Sequence, residues 1–216
     1  MRRTRMWLAV AAVTLALAGG CGVDSTTEAK PPQGSGEQMK PLVDQFRDAR
    51  ARATSDFEKA ALDRAVETGR IDPADYEEAF SRYRRCAEDS GLAGTYTKQP
   101  NGIYSITPPS NLGDGIDAYA KTMRDCAAKA GLMSLEALLR TQVDNPELLS
   151  DPRLVTVRCL IKAGLVPAGY TPEDLMTFVR GDMEPGGDFD PMNAEAQKCL
   201  TAGGMAIQVD APKGGS

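Results

Sequence analysis

Four copies of one short pattern constrain this chain more than any other feature. Each is a Cys, four residues, a Gly, and then Leu or Met: Cys86 to Gly91-Leu92, Cys126 to Gly131-Leu132, Cys159 to Gly164-Leu165, and Cys199 to Gly204-Met205. The physical reading is a helix C-terminus. Gly takes the left-handed cap, and the following apolar residue folds back onto the last turn. Each Cys then lies about one and a half turns before its cap, on the buried face. A chain punctuated this way predicts a mainly α fold.

The N-terminus bears on how those cysteines are used. Arg2, Arg3 and Arg5 precede an apolar run from Met6 to Ala18, followed by Gly19, Gly20 and Cys21. A short basic-then-apolar segment ending in small residues reads as a secretory signal, and the run is too short for a transmembrane anchor of about 20 residues. Leu17-Ala18-Gly19-Gly20-Cys21 resembles a lipobox, with Ala18 where the commonest form has Leu. That resemblance implies cleavage before Cys21, lipidation of its sulfur, and a place on the extracytoplasmic face of the cell membrane. Residues 22–38 carry almost nothing apolar to bury and read as a disordered tether behind the lipidated Cys. The folded part is expected over 39–209, with 210–216 a frayed tail.

Export makes disulfides the expected state of the other four cysteines, against the alternative of four buried thiols. Three pairings are open. Cys86 to Cys126 and Cys159 to Cys199 span 40 residues each, and this equality favours 86–126 with 159–199. Each bridge would contribute roughly 4 kcal/mol by loop entropy. Residues 70–132 and 144–205 would then be two variants of one clamped helical unit, an internal duplication.

Periodicity fills in the rest. Pro41 suits a first helical position, and apolar residues from Leu42 to Val66 recur at three- and four-residue steps toward Gly69, reading as one helix. Asp72 and Pro73 start another, with Tyr76, Ala79, Phe80, Tyr83, Cys86 and Ala87 on one face. A third runs from about Asp114, its stripe including Ile116, Tyr119, Met123 and Cys126. Further helices are predicted at 134–143, 152–163, 172–180 and 192–202, with Ser134, Asp151 and Thr171 as caps. Thr95 to Lys98 and Ile103 to Thr107 alternate around Pro100-Asn101-Gly102, the pattern of a β-hairpin.

The stretch Gly69-Arg-Ile-Asp-Pro-Ala-Asp-Tyr-Glu-Glu-Ala-Phe-Ser-Arg-Tyr-Arg-Arg-Cys86-Ala-Glu-Asp-Ser-Gly91 resembles a segment of secreted actinobacterial lipoproteins, in which a Tyr-rich helix ends in Cys and Gly behind an acylated Cys. The resemblance spans about residues 1–132. It implies an envelope lipoprotein and supplies no catalytic residue.

The chain has no His, and its one Trp, Trp7, lies in the signal segment. The commonest general base and metal ligand is therefore missing, and Ser-His-Asp and Cys-His nucleophile systems are excluded. Loss of residues 1–20, with three Arg and no acid, takes the formal charge from −5 to −8. Such an acidic surface disfavours nucleic acid as a partner. The acidic group Asp182, Glu184, Asp188, Asp190 and Glu195 lacks full cation-ligand spacing and reads as a solvated loop. The positions that an EF-hand would need before Gly69 fall on Arg64, Val66 and Thr68, none a carboxylate. Glu77, Glu78, Glu88 and Asp89 among Arg82, Arg84 and Arg85 read as a salt-bridged helix face. No catalytic residue, cofactor or metal site is assigned. Tyr96 and Tyr104 on the hairpin are the candidate binding surface, because loops outside a helical scaffold often carry function. The expected function is a non-catalytic envelope interaction module docking a protein or wall partner. The alternatives are a receptor-like binder of a small ligand and a hydrolase using carboxylates alone.

Overall fold

The computed structural model describes residues 38–92, 94–110, 112, 115–181 and 187–205. In chain order these form α1 (Leu42–Arg52), α2 (Asp56–Thr68), α3 (Pro73–Asp89), β1 (Thr95–Lys98), β2 (Tyr104–Thr107), α4 (Ile116–Ala130), α5 (Leu132–Asp144), α6 (Pro152–Lys162), α7 (Pro172–Arg180) and α8 (Ala194–Ala202). The fold is mainly helical with one antiparallel hairpin, as the sequence predicts.

Local chemistry sets most helix starts. Asp72 Oδ1 accepts from the Ala74 N–H, Asp151 Oδ1 from that of Arg153, and Thr171 with Asp174 closes a full capping box, each satisfying an N–H that the first turn leaves free. Three expectations need correction. The single helix toward Gly69 is two, because Ala53 is extended and Ser55 caps a new start. Ser55 Oγ accepts from the Glu58 N–H at 3.2 Å, and Glu58 Oε2 accepts from that of Thr54 at 3.3 Å. Ser134 is no cap: α5 begins at Leu132, with Gly131 serving as both the end of α4 and the start of α5. The last helix starts at Ala194 rather than 192, capped by Asn193. The expected start of α4 at Asp114 lies outside the described residues.

All four patterned glycines take positive φ, from 67° to 74°. After three of them the next residue donates back five positions, Leu92 to Ala87, Leu165 to Leu160 and Met205 to Leu200. The acceptor is each time the residue following the Cys, so the patterned Cys and the cap belong to one local motif. Both disulfides form as predicted, Cys86–Cys126 and Cys159–Cys199, with Cα atoms 5.6 and 5.2 Å apart.

The core has two parts. α1 to α5 and Ile103 bury one cluster, including Phe46, Leu62, Tyr76, Phe80 and Leu135. α6 to α8 bury a smaller one around Val157, Leu160, Leu175 and Leu200. At full burial each such side chain contributes about 1.5–3 kcal/mol. Each cluster has its own bridge, but the chain returns through the hairpin in the first and through α7 in the second. The likeness between the halves thus lies in helix ends and bridges.

The two parts meet at residues 145–149. Asn145 donates to the Leu149 carbonyl and accepts from its N–H, and Leu148 is held at φ 53°. The Met39 N–H donates to the Leu148 carbonyl at 2.7 Å, and Gln38 bridges Leu149. Gln38, assigned to the tether from sequence, thus belongs to the ordered joint. On the first part, Gln142 brackets the peptide of Ile71, its Oε1 accepting the N–H at 2.7 Å and its Nε2 donating to the carbonyl at 3.2 Å.

Candidate functional site

The hairpin registers Lys98 opposite Tyr104 and Tyr96 opposite Ile106. Tyr104 is held from several sides. Its ring stacks on Phe80 at 3.9 Å, its N–H donates to the Tyr76 hydroxyl at 2.8 Å, and its own hydroxyl meets Glu77 at 3.1 Å. Lys98 ion-pairs with the same Glu77 and lies 5.6 Å from the Tyr104 ring centroid. Tyr76 is buried by the hairpin and α5, and this burial raises its phenol well above the ordinary value. Tyr83 is pushed up to about 12 for the same reason.

Tyr96 packs differently. Its ring meets Phe80 edge-on at 5.4 Å and Tyr83 at 6.3 Å. Its hydroxyl and that of Tyr119 are buried without a hydrogen-bond partner among the described residues, and burial raises both phenols. The two candidate tyrosines therefore part company: Tyr104 lines a groove, while Tyr96 is packed into the aromatic core.

That groove, of about 490 Å³, lies where the hairpin turn faces α8. Ile103 and Tyr104 come from the hairpin, Arg140 from α5, and Gln197 and Thr201 from α8. A second hollow of about 360 Å³ shares Gln99, Asn101, Gln197 and Thr201 and adds Asp144 and Lys198. The volumes fall in the range typical of ligand clefts. Asn101 organises this end: its Oδ1 accepts from the Ile103 N–H and its Nδ2 donates to Asp144 at 3.0 Å. Burial raises the Asp144 carboxyl, and the Asn101 bond opposes that shift. Lys198 is paired with Glu195 and Arg140 with Glu136. What remains is a surface of amides and hydroxyls over an apolar floor, suited to exchanging hydrogen bonds with a peptide or a hydroxylated ligand. Asp144 is the only carboxyl among the described residues lining either hollow. A two-carboxylate hydrolysis requires a second one facing it.

Sequence reading named Asn101 only as a turn residue and missed Gln197, Thr201, Arg140 and Asp144. They are polar positions on helices chosen by their apolar faces, so periodicity is silent about them. Among the other groups, Arg82 pairs with Glu78 at 2.7 Å and Arg84 with Glu88 at 3.5 Å, the predicted helix face. Arg64, at a would-be cation position, pairs with Asp75. Asp182 and Glu184 lie outside the described residues, while Asp188 accepts from the Tyr170 hydroxyl at 2.8 Å and Asp190 from the Met192 N–H. Among the described residues no group of three metal-ligating side chains occurs, and no helix is long and apolar enough to cross a membrane.

No known protein family matches the chain, and neither does any curated protein or solved structure.

Proposed function

We propose that this protein is an envelope lipoprotein, held to the extracytoplasmic face of the membrane through acylated Cys21, that binds a protein or wall partner without catalysis. The reading of its location rests on the basic, apolar and small-residue order of Met1 to Cys21 and on its resemblance to a lipobox. The reading of its activity is supported by one observation, the amide-rich groove between the hairpin and α8. Its walls come from both disulfide-clamped parts, so an occupant would contact both at once. Its size also supports a second reading, a small-ligand receptor.

In-cell crosslinking of the full chain followed by mass spectrometry tests the proposal. A reproducible protein or wall-glycan partner is expected, and Thr201→Arg, an exposed change in the groove wall, should remove it. Retention of a small molecule with no macromolecular partner would shift the function to the receptor reading. Partner capture undiminished by Thr201→Arg would exclude the groove. Cys21→Ser should release the chain from the membrane fraction, and continued membrane retention would refute the lipid anchor.

A further inference from the structure

Another groove adjoins the first across Arg140. It holds about 540 Å³ between α4, α5 and β2, with Tyr83, Met123, Leu132 and Ile106 among its lining. The Tyr83 hydroxyl donates inward to Met123 Sδ at 3.3 Å, so the floor presents carbon and sulfur. Met133 on its wall is 58% exposed, the most exposed of the large apolar residues described. Methionine walls adapt to flexible apolar guests.

The rim carries charge of one sign to spare. Glu136 is taken by Arg140 at 3.2 Å and by the Tyr76 hydroxyl at 3.4 Å. Arg124 makes no ion pair among the described residues, and the acid beside it, Asp125, is held by Lys121 at 2.8 Å. An apolar groove with an unspent guanidinium at its rim complements a molecule with an apolar tail and a negative head, the local cation supplying the attraction that the net-acidic chain as a whole does not. We propose that this groove binds the chain of an anionic single-chain amphiphile such as a long-chain carboxylate. Arg124 meets the head, and Met123 and Met133 flank the tail. This site shares Arg140 with the hairpin–α8 groove and is otherwise lined by different residues, so its occupant is distinct from that groove's.

A photoactivatable fatty acid and its methyl ester, each offered to the full chain in phosphatidylcholine nanodiscs, provide the test. Adducts mapped by tandem mass spectrometry should concentrate on α4 and α5, with the acid favoured over the ester. Arg124→Gln should lower the acid's yield to that of the ester, a fall of about tenfold for one charge-assisted contact. Ala137→Glu, at an exposed lining position, should suppress both adducts, and Thr201→Arg should change neither. Circular dichroism establishes that each variant is folded. Adducts with no preference for α4 and α5, equal yields of acid and ester, or an undiminished Ala137→Glu signal would overturn the proposal. So would chain-to-chain crosslinks across this face in place of probe adducts, which would mean that a second copy covers it.

Discussion

Replacing Gly203 with Ala puts a methyl group where α6 and α8 leave no room for one. The Gly203 backbone lies at φ −85° and ψ 10°, a conformation open to any L-residue, so the substitution carries no backbone penalty. Its cost is steric. A Cβ there would stand 1.9 Å from Thr156 Oγ1 and 2.6 Å from the Pro152 carbonyl oxygen. Thr156 is fully buried, and Pro152 offers rigid backbone. The Cys159–Cys199 bridge lies one turn along both helices and stops them from separating. Relief must come from displaced packing, which places the loss near the upper end for overpacking, about 3 kcal/mol. For a domain of this size that is a fall in Tm of about 6–12 °C. Urea unfolding followed by circular dichroism measures it, with Gly169→Ala as the matched control, since a Cβ at Gly169 meets nothing within 4 Å. In a Cys159→Ala/Cys199→Ala background the helices can part, so the penalty of Gly203→Ala should shrink by more than about 0.5 kcal/mol, the scale of coupling between neighbours. A loss below about 0.5 kcal/mol in the bridged protein, typical of an unconstrained surface site, would refute the close approach.

Two further predictions concern side chains of α5. Gln142→Ala leaves the N–H and carbonyl of buried Ile71 without the bracket that satisfies them, so stability should fall by about 1–3 kcal/mol. Amide exchange at Ile71 should accelerate selectively, and unchanged protection there would contradict the bracket. Asp144 has its carboxyl raised by burial, so the folded chain holds that proton more tightly than the unfolded one. Stability is then lost as pH rises from the ordinary carboxylate value, 3.8, through the raised one. Asp144→Asn should therefore be the more stable protein at neutral pH, with the difference closing as pH falls toward 3.8. A variant less stable than the parent at neutral pH would reverse that sign.

Much of the fold was legible because its determinants are local. A Gly that must adopt positive φ, an Asp or Thr that caps the next turns, and a Pro-Asn-Gly turn act within a few residues, so their positions print the helix ends and the hairpin. The break at Ala53 was legible too: Ser55 and Glu58 spell a capping box, but a continuous apolar stripe on both sides masked it. Ser134 misled for the opposite reason. A good capping residue yields when Gly131 already reverses the chain and the burial of Leu132 and Leu135 rewards an earlier start. The pairing of the bridges followed from equal spacing.

What the sequence alone determined about this protein is its class, its helix ends and its cross-links, because each depends on short-range stereochemistry or on counting along the chain. Only the tertiary structure decided which surfaces those elements share. Tyr96 and Tyr104 lie on the two strands of one hairpin and read alike, yet one is packed against Phe80 and Tyr83 while the other stacks on Phe80 beside an open groove. Gln197 and Asn101 are far apart in sequence and line the same hollow. Gly203 is one more small residue until α6 crosses it. Such contacts depend on how helices cross, and that is set by the summed packing of two cores rather than by any local pattern.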